Sequence, residues 1–304
     1  MKEEIGTAIA QEGTVSAIYE IIKTYDKTEY GRVIEERADY AVLYHLADVR
    51  ANVIEWLPIE STDAVCEVNA ECGALSSVLL QKAGSLTCLT DTTLQKELLE
   101  YRLKKEVPEA EEKERNVYAG NFKEQERKLG SYDWIILTGV LGYAKEMLRT
   151  QGEQAYKELL ERIGEHLKPN GTLVLIEHNR LGLKYLAGCQ DDHYGDYFSG
   201  IQNYAGRDGY RTFTRKEYLA LLEAAGMEVE EVYYPYPDYK FPMEIYSDAY
   251  LPKKGELNDN ARNADRDRYV LFQETAAYNT LIGEGLFPEF SNSFLIAARK
   301  RGEK

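Results

Sequence analysis

The segment AVCEVNAECGALSSVLLQKAG, residues 64–84, decides how the chain is read. AVCEV (64–68) is a short apolar strand. EVNAECG (67–73) is a turn that carries an acid and a glycine. ALSSVLLQKAG (74–84) opens a helix. A strand, a glycine-bearing loop and a helix, in that order, put the loop where α/β folds hold a nucleotide. The dinucleotide pattern G-x-G-x-x-G is absent, which disfavours a dehydrogenase.

The alternation continues outward. SLTCL (85–89) is a second strand, followed by Leu94, Leu98, Tyr101 and Leu103 near helical spacing. KKEVPEAEEKER (104–115), charged and broken by Pro108, reads as a solvated loop. NVYA (116–119) is a third strand. YDWIILT (132–138) is a fourth, an apolar run of the kind buried on both faces. Ala155, Leu159, Leu160, Ile163 and Leu167 form one helical face, KPNG (168–171) a turn, and TLVLI (172–176) a fifth strand. Thr214 with Glu217 makes a capping box for a helix that Gly226 closes. MEVEEVYY (227–234) and NSFLIAAR (292–299) are strands six and seven.

Strands alternating with helices predict a mainly parallel sheet. Its ligand site lies beyond the carboxyl ends of the strands, here residues 69–73, 90–92, 120–122, 138–143 and 177–180. Val15, Ile18, Ile21 and Ile22, then Val42, Leu43 and Leu46, repeat with helical period, so residues 1–62 read as a helical extension ending near WLPI (56–59). The segments 178–213 and 235–291 are additions to the basic plan. Within the second, KKGELNDNARNADRDR (253–268) reads as a polar surface loop.

The chain of 304 residues has 37 basic and 52 acidic side chains, a net charge of −15. That balance argues against binding a nucleic-acid backbone or an anionic membrane. It holds 24 Tyr against 8 Phe, and twelve of the Tyr fall between 185 and 250. Rings with hydroxyl tips suit a wet, ligand-lined surface. Cys66, Cys72, Cys88 and Cys189 form no CxxC pair, as expected of reduced thiols, and no zinc framework or other metal site is visible. The start MKEEIGTAIAQEG lacks an apolar signal core, and runs such as LVLI (173–176) are too short to span a bilayer. A cytoplasmic protein without a membrane span is expected.

The loop EVNAECG resembles the E-x-G-x-G-x-G motif of class I S-adenosylmethionine-dependent methyltransferases. Glu67 matches the acid and Gly73 the last glycine, while Asn69 and Glu71 stand where the first two glycines belong. Thr90 stands where the family carries the acid for the ribose hydroxyls, and Asp91 follows it. AGNF (119–122) is similar to the adenine-contacting segment, with Asn121 polar and Phe122 packing. YDWIILTGVLGY (132–143) resembles the fourth-strand motif, with Thr138 and Gly139 lining the transfer site. The resemblance implies a Rossmann-like α/β fold. It would have a seven-stranded mainly parallel sheet, helices on both faces, an N-terminal helical cap (1–62) and a methyltransferase-like domain (63–304). It implies S-adenosylmethionine as cofactor and S-adenosylhomocysteine as product, held by Glu67, Asn69, Ala70, Glu71, Gly73, Thr90, Asp91, Asn121, Phe122, Thr138 and Gly139.

A narrower resemblance runs from about residue 40 to 299. It is carried by RANVIEWLPI (50–59), NRLGLKYLAG (179–188), DDHYGDYFSGI (191–201), YRTFTRKE (210–217), YYPYPDYKFP (233–242), IYSDAYLP (245–252) and GLFPEFSNSFLI (285–296). These are similar to a bacterial subgroup associated with surface-polysaccharide biosynthesis. Against that subgroup, an acid is expected at Gly142 and a glutamate at His178. The implied reaction is methyl transfer to a hydroxyl, or an amine, of a glycan or other small polar acceptor. The alternative is a non-catalytic methyltransferase-like subunit or scaffold in a surface-glycan assembly. The partners expected are that acceptor and a second copy of the chain or a glycosyltransferase.

Two histidines are the catalytic candidates. His178 follows the fifth strand and is suited to general-base work. His193 is the other, with Asp191 or Asp192 to orient it. Arg180, Lys184 and Arg211 suit a phosphate or carboxylate on the substrate. Tyr143, Asn179, Tyr197 and Tyr239 complete the expected acceptor side. His45 and Arg50 lie in the helical extension, expected to fold over the cofactor edge.

Overall fold

The computed structural model describes residues 2–260 and 268–301, with side chains from residue 12 onward. Residues 261–267, within the loop expected over 253–268, lie outside the described residues. The chain forms two compact units, Met1–Leu129 and Gly130–Lys304. The helical extension thus shares a unit with the first three strands.

In the first unit the extension folds as α1 (Lys2–Thr24), α2 (Tyr30–Arg37) and α3 (Tyr40–Leu46). Asp39, extended, caps α3 by accepting from Val42 N at 3.1 Å. The expected apolar positions do pack: Val15, Ile18, Ile22, Val42 and Leu46 form one core with Cys72 and Leu98. Each such side chain stabilises by roughly 1.5–3 kcal/mol on burial, so the extension is held by the loop after the first strand and the helix after the second. β1 (Ala64–Val68), β2 (Ser85–Thr90) and β3 (Glu114–Ala119) are parallel with β2 central, in register Glu67↔Cys88 and Thr90↔Ala119. Their carboxyl ends therefore share one edge. Between them run α4 (Ser76–Lys82) and α5 (Thr93–Glu106), the latter opened by a Thr92–Gln95 capping box, and α6 (Phe122–Glu126) follows β3.

The second unit has five strands in the order β4-β5-β8-β6-β7. β4 (Tyr132–Thr138) and β5 (Leu167–His178) are parallel; β6 (Met227–Tyr236), β7 (Glu244–Ser247) and β8 (Ser293–Lys300) join antiparallel. The helices are α7 (Ala144–Leu148), α8 (Gln154–Glu165), α9 (Leu183–Leu186), α10 (Arg215–Ala224), α11 (Glu274–Gly283) and α12 (Phe287–Phe290). α8 buries the predicted face of Ala155, Leu159, Leu160 and Ile163, and α10 carries the predicted capping box.

Two expectations are corrected. Among the described residues there are eight strands, not seven: β7 is only four residues, EIYS, and exists because Tyr233–Tyr236 of β6 pair with it. And KPNG is not a turn before the fifth strand but part of it. Asn170 takes φ +67°, and the pairing jumps from Tyr132↔Leu167 to Trp134↔Thr172, so the extra residues are absorbed as an irregularity in the ladder.

Candidate active site

The loop after β1 keeps the backbone of a glycine loop without its glycines. Asn69, Glu71 and Gly73 all adopt left-handed φ, +62°, +49° and +78°. That conformation costs a non-glycine residue roughly 1–2 kcal/mol. Asn tolerates it well; Glu71 does not. Gly73 has no substitute, because a Cβ there would lie 2.4 Å from Leu99 Cδ1. The loop is closed by Ala70 N donating to Leu89 O (2.8 Å) and Gly73 N to Ala70 O (2.7 Å).

Around it, the expected cofactor residues divide. Glu67 is buried, accepts from Ser76 Oγ and has Cys88 Sγ at 3.7 Å; burial pushes its carboxyl up to about 7. It ties β1, β2 and α4 together. Thr90 is buried, with its hydroxyl 3.4 Å from both Thr92 O and Tyr118 O. Gln125, absent from the sequence expectations, donates to Thr90 O (2.6 Å) and Tyr118 O (3.0 Å), clamping the ends of β2 and β3. Asp91 is exposed. Asn121 spends its Oδ1 capping α6 through Glu124 N (3.2 Å), and Phe122 is buried. Arg102 was also unforeseen: one Nη1 donates to His45 O (2.9 Å) and to Cys72 O (2.7 Å), pinning α3 to the loop.

In the second unit, Thr138 ends β4. Its pairing with Ile176 puts it on the same sheet face as His178, and its buried Oγ1 has no hydrogen-bond partner among the described residues. Gly139 (φ +64°) donates to Ile176 O at 2.8 Å, and a Cβ on it would lie 2.7 Å from Tyr239 Oη. The acid expected at Gly142 has no room, since a Cβ there would meet the Tyr210 ring at 2.5 Å and Arg211 O at 2.6 Å.

The glutamate expected at 178 stands one residue earlier, on the opposite face. Glu177 is 1% exposed. Its Oε1 accepts from Leu141 N at 2.7 Å, while Oε2 has no hydrogen-bond partner among the described residues. Burial pushes it up to about 8. The signal that would have found it is an acid inside the apolar run LVLIEH.

His178 is equally buried, and neither ring nitrogen has a hydrogen-bond partner among the described residues. Nε2 lies 3.6 Å from Asp192 Oδ2, and the ring is 4.6 Å from that of Tyr239. Burial pushes the imidazole down to about 3, so it is neutral. Asp192 sits in an ionic knot: Lys184 at 3.1 Å, Lys240 and the Tyr185 hydroxyl in contact, and Asp238 3.0 Å from Lys184. Burial alone would raise the Asp192 carboxyl, but Lys184 and Lys240 hold it well below the usual range. So Asp192 faces His178, not His193. Asp191 instead accepts the backbone amides of His193 (3.0 Å) and Tyr194 (2.8 Å). His193 is exposed, with Nδ1 3.0 Å from Tyr143 Oη and its ring stacked 4.4 Å from Tyr210.

The expected acceptor-side cations are engaged within the chain. Arg180 grips Glu217 with two bonds (2.9 and 3.0 Å) and donates to Gly200 O. Arg211 pairs with Glu153 at 3.0 Å. Asn179 is buried and donates to Glu289 O and Ser291 O at 2.8 and 2.7 Å. Tyr197 packs 5.4 Å from Tyr269. No group of three His, Cys, Asp or Glu is placed to hold a metal ion among the described residues. No helix among them is long and apolar enough to cross a membrane.

A strand–loop–helix with a glycine-loop backbone, followed by further parallel strands, defines a class of methyltransferase-like α/β proteins. Residues 31–232 match the family described as a methyltransferase domain, and the chain belongs to that family. No curated protein matches it. Among solved structures it is similar to an S-adenosylmethionine-dependent methyltransferase from Archaeoglobus fulgidus (14% identity, 83% of this chain and 93% of that one, TM-score 0.47). It is also similar to one from Methanosarcina mazei (14%, 80% and 95%, 0.46) and to a TehB-like one from Corynebacterium glutamicum (12%, 83% and 87%, 0.42).

Proposed function

We propose that the protein is an S-adenosylmethionine-dependent methyltransferase acting on a hydroxyl, or an amine, of a glycan or other small polar acceptor. The observation that carries the reading is the backbone of residues 69–73, with its three alternating left-handed residues directly after Glu67. Strain of this kind persists where the surroundings impose it and function uses it. The residues fit the group at this loop. Asn69, Ala70, Glu71 and Gly73 would cradle its amino-acid end. Glu71 adds a carboxylate beside a donor that is cationic at sulfur and nitrogen. Thr90 is committed to backbone carbonyls, which leaves the exposed Asp91 to accept from the ribose hydroxyls. Asn121, Phe122, Thr138 and Gly139 are assigned to the cofactor side by the family resemblance alone.

When bound, the cofactor supplies an electrophilic methyl on a sulfonium. The chain's own groups then have to orient the acceptor and take its proton. His178 as a neutral imidazole accepts a hydrogen bond but holds a proton poorly. Glu177 is buried and keeps its proton up to about 8, which leaves His193, exposed at the rim beside Tyr143, as the candidate base. His193 and Tyr143 form a polar aromatic rim suited to a sugar ring, alongside Tyr197 and Tyr239. Lys184, Arg180 and Arg211 would reach an acidic acceptor only by giving up their present partners. Assignment to surface-polysaccharide biosynthesis, and to assembly with a glycosyltransferase or a second copy, rests on the segments between 40 and 299 that resemble that subgroup.

Glu71 at a glycine position and the inward-turned Thr90 favour the second reading, a non-catalytic subunit of a glycan assembly. Calorimetric titration separates the two. Binding of S-adenosylmethionine and S-adenosylhomocysteine is expected; no heat with either at millimolar ligand removes the enzyme reading.

A further inference from the structure

The tetrapeptide YVLF (269–272) stands on the surface of a chain whose net charge is −15. Tyr269, Val270 and Leu271 are 63%, 73% and 56% exposed, and Phe272 is exposed as well. Consecutive apolar side chains left in water are a burden that a surface carries where it is used. The patch is wider than the segment. The Tyr269 ring lies 5.4 Å from that of Tyr197, whose neighbour Phe198 is exposed, as is Ile201.

The backbone of the segment is paired on one side. Tyr269 N donates to Gly188 O at 3.2 Å and Leu271 N to Ala187 O at 3.0 Å. Alternate amides turned inward are the period of a strand. The N–H and C=O of Val270 therefore turn outward, and neither has a backbone partner among the described residues. Gly188 makes the approach possible, since a Cβ on it would lie 2.2 Å from Tyr269 O. The segment is also stapled across its ends: Arg268 Nη2 donates to Glu274 Oε1 at 2.6 Å, and both side chains are buried. It is a fixed strand edge open to pairing.

No side chain in 269–272 is charged. Two copies of so acidic a chain repel one another, and least where no charge meets another. A residue that offers a donor and an acceptor on the same side is complementary to itself. Two such residues related by a two-fold axis exchange both hydrogen bonds, the closely spaced pair of an antiparallel ladder.

We infer that residues 269–272 are the face through which two copies of the chain associate, antiparallel, with Val270 of one copy opposite Val270 of the other. Tyr197, Phe198 and Ile201 flank the pairing. The exposed side chains named supply less than the about 800 Å² a side of a standard interface, so the dimer is of the weak, exchanging kind. The inference deepens the second-copy part of the proposed function, on which it rests, and nothing in it depends on the cofactor.

The test is sedimentation equilibrium on the full chain between about 1 μM and about 200 μM, the range of weak complexes. Wild type should pass from monomer towards dimer. Val270→Asp sets like charges opposite each other and should weaken association about tenfold or more. Its circular dichroism should match wild type, because the side chain is exposed. Val270→Cys tests the register independently, and carries the test if the aspartate variant does not fold. Paired Cα atoms at about 5.5 Å are within disulfide reach. This variant should therefore cross-link to a covalent dimer with oxidised glutathione, and Tyr250→Cys, exposed on another segment, should not. The four native cysteines are buried and stay out of the reaction. A wild type that is monomeric throughout overturns the inference and leaves the cofactor reading standing. So does a dimer that a folded Val270→Asp chain does not weaken, or equal cross-linking at 250 and 270. A wild type that dimerises through Val270 yet binds no S-adenosylhomocysteine supports the inference and removes the cofactor reading.

Discussion

The hydroxyl of Tyr239 lies against the α-carbon of Gly139, 2.7 Å from where a Cβ would begin. A ring from the Tyr-rich segment thereby closes over the end of β4, and Gly139 is obligatory twice over, for space and for its φ of +64°. Gly139→Ala is expected to destabilise the protein by about 1–3 kcal/mol. Tyr239→Phe in the same chain should recover the steric part. Chemical denaturation of the two single variants and the double variant measures this. A Gly139→Ala chain as stable as wild type would contradict the contact.

Glu71 offers the opposite experiment, because there the structure is strained and glycine would relieve it. Glu71→Gly should stabilise by about 1 kcal/mol from the left-handed φ alone. It should also tighten S-adenosylhomocysteine if the loop cradles it. A thermal melt and a titration on the same sample separate these effects; unchanged stability would show that the side chain's own contacts outweigh the backbone strain.

Lys184 is buried between Asp192 and Asp238, at 3.1 and 3.0 Å. Removing one member of a buried ionic group leaves the others uncompensated, at about 3–5 kcal/mol. Lys184→Met should therefore lower the denaturation midpoint strongly with little change in slope. If Lys184 served mainly to hold an acceptor, stability would barely move.

Two neighbouring residues should give the stability profile opposite slopes. His178 is lowered from 6.5 to about 3, so the unfolded chain binds the extra proton. Its contribution is present above about 6.5 and is lost as pH falls towards 3. Glu177 is raised from 4.5 to about 8, so the folded chain binds the extra proton. Its contribution is present below 4.5 and is lost as pH rises through 8. Urea midpoints measured from pH 4 to 9 should decline less on the acid side in His178→Asn and less on the alkaline side in Glu177→Gln. Glu177→Gln keeps an oxygen for Leu141 N, so its fold should survive. A variant curve parallel to wild type would show that the residue titrates as it does in the unfolded chain.

Legibility in the sequence followed the range of the interactions involved. YDWIILT, AVCEV, the Thr214–Glu217 box and the face of α8 are local patterns, and each forms the element its spacing predicts. β7 and the strand character of KPNG depend on partners elsewhere in the chain, Tyr233–Tyr236 and Tyr132–Trp134, so no local window contains them. The candidate site divides the same way. Residues 69–73 were placed by their position after a strand. That Glu71 would take a glycine conformation was not legible, since Glu ordinarily avoids it, whereas Asn69 is a residue type that accepts it.

What the sequence by itself determined is the family and most of the order of elements, with the place of the loop after the first strand, because strand and helix periods and cap residues act between near neighbours. What only the tertiary structure decided is how the charged and polar groups are spent. Arg180 on Glu217, Lys184 in its knot and His178 facing Asp192 join residues 8 to 54 positions apart in sequence. Coulomb and hydrogen-bond partners are chosen by distance in space, and burial sets their protonation; neither quantity exists until the chain has folded.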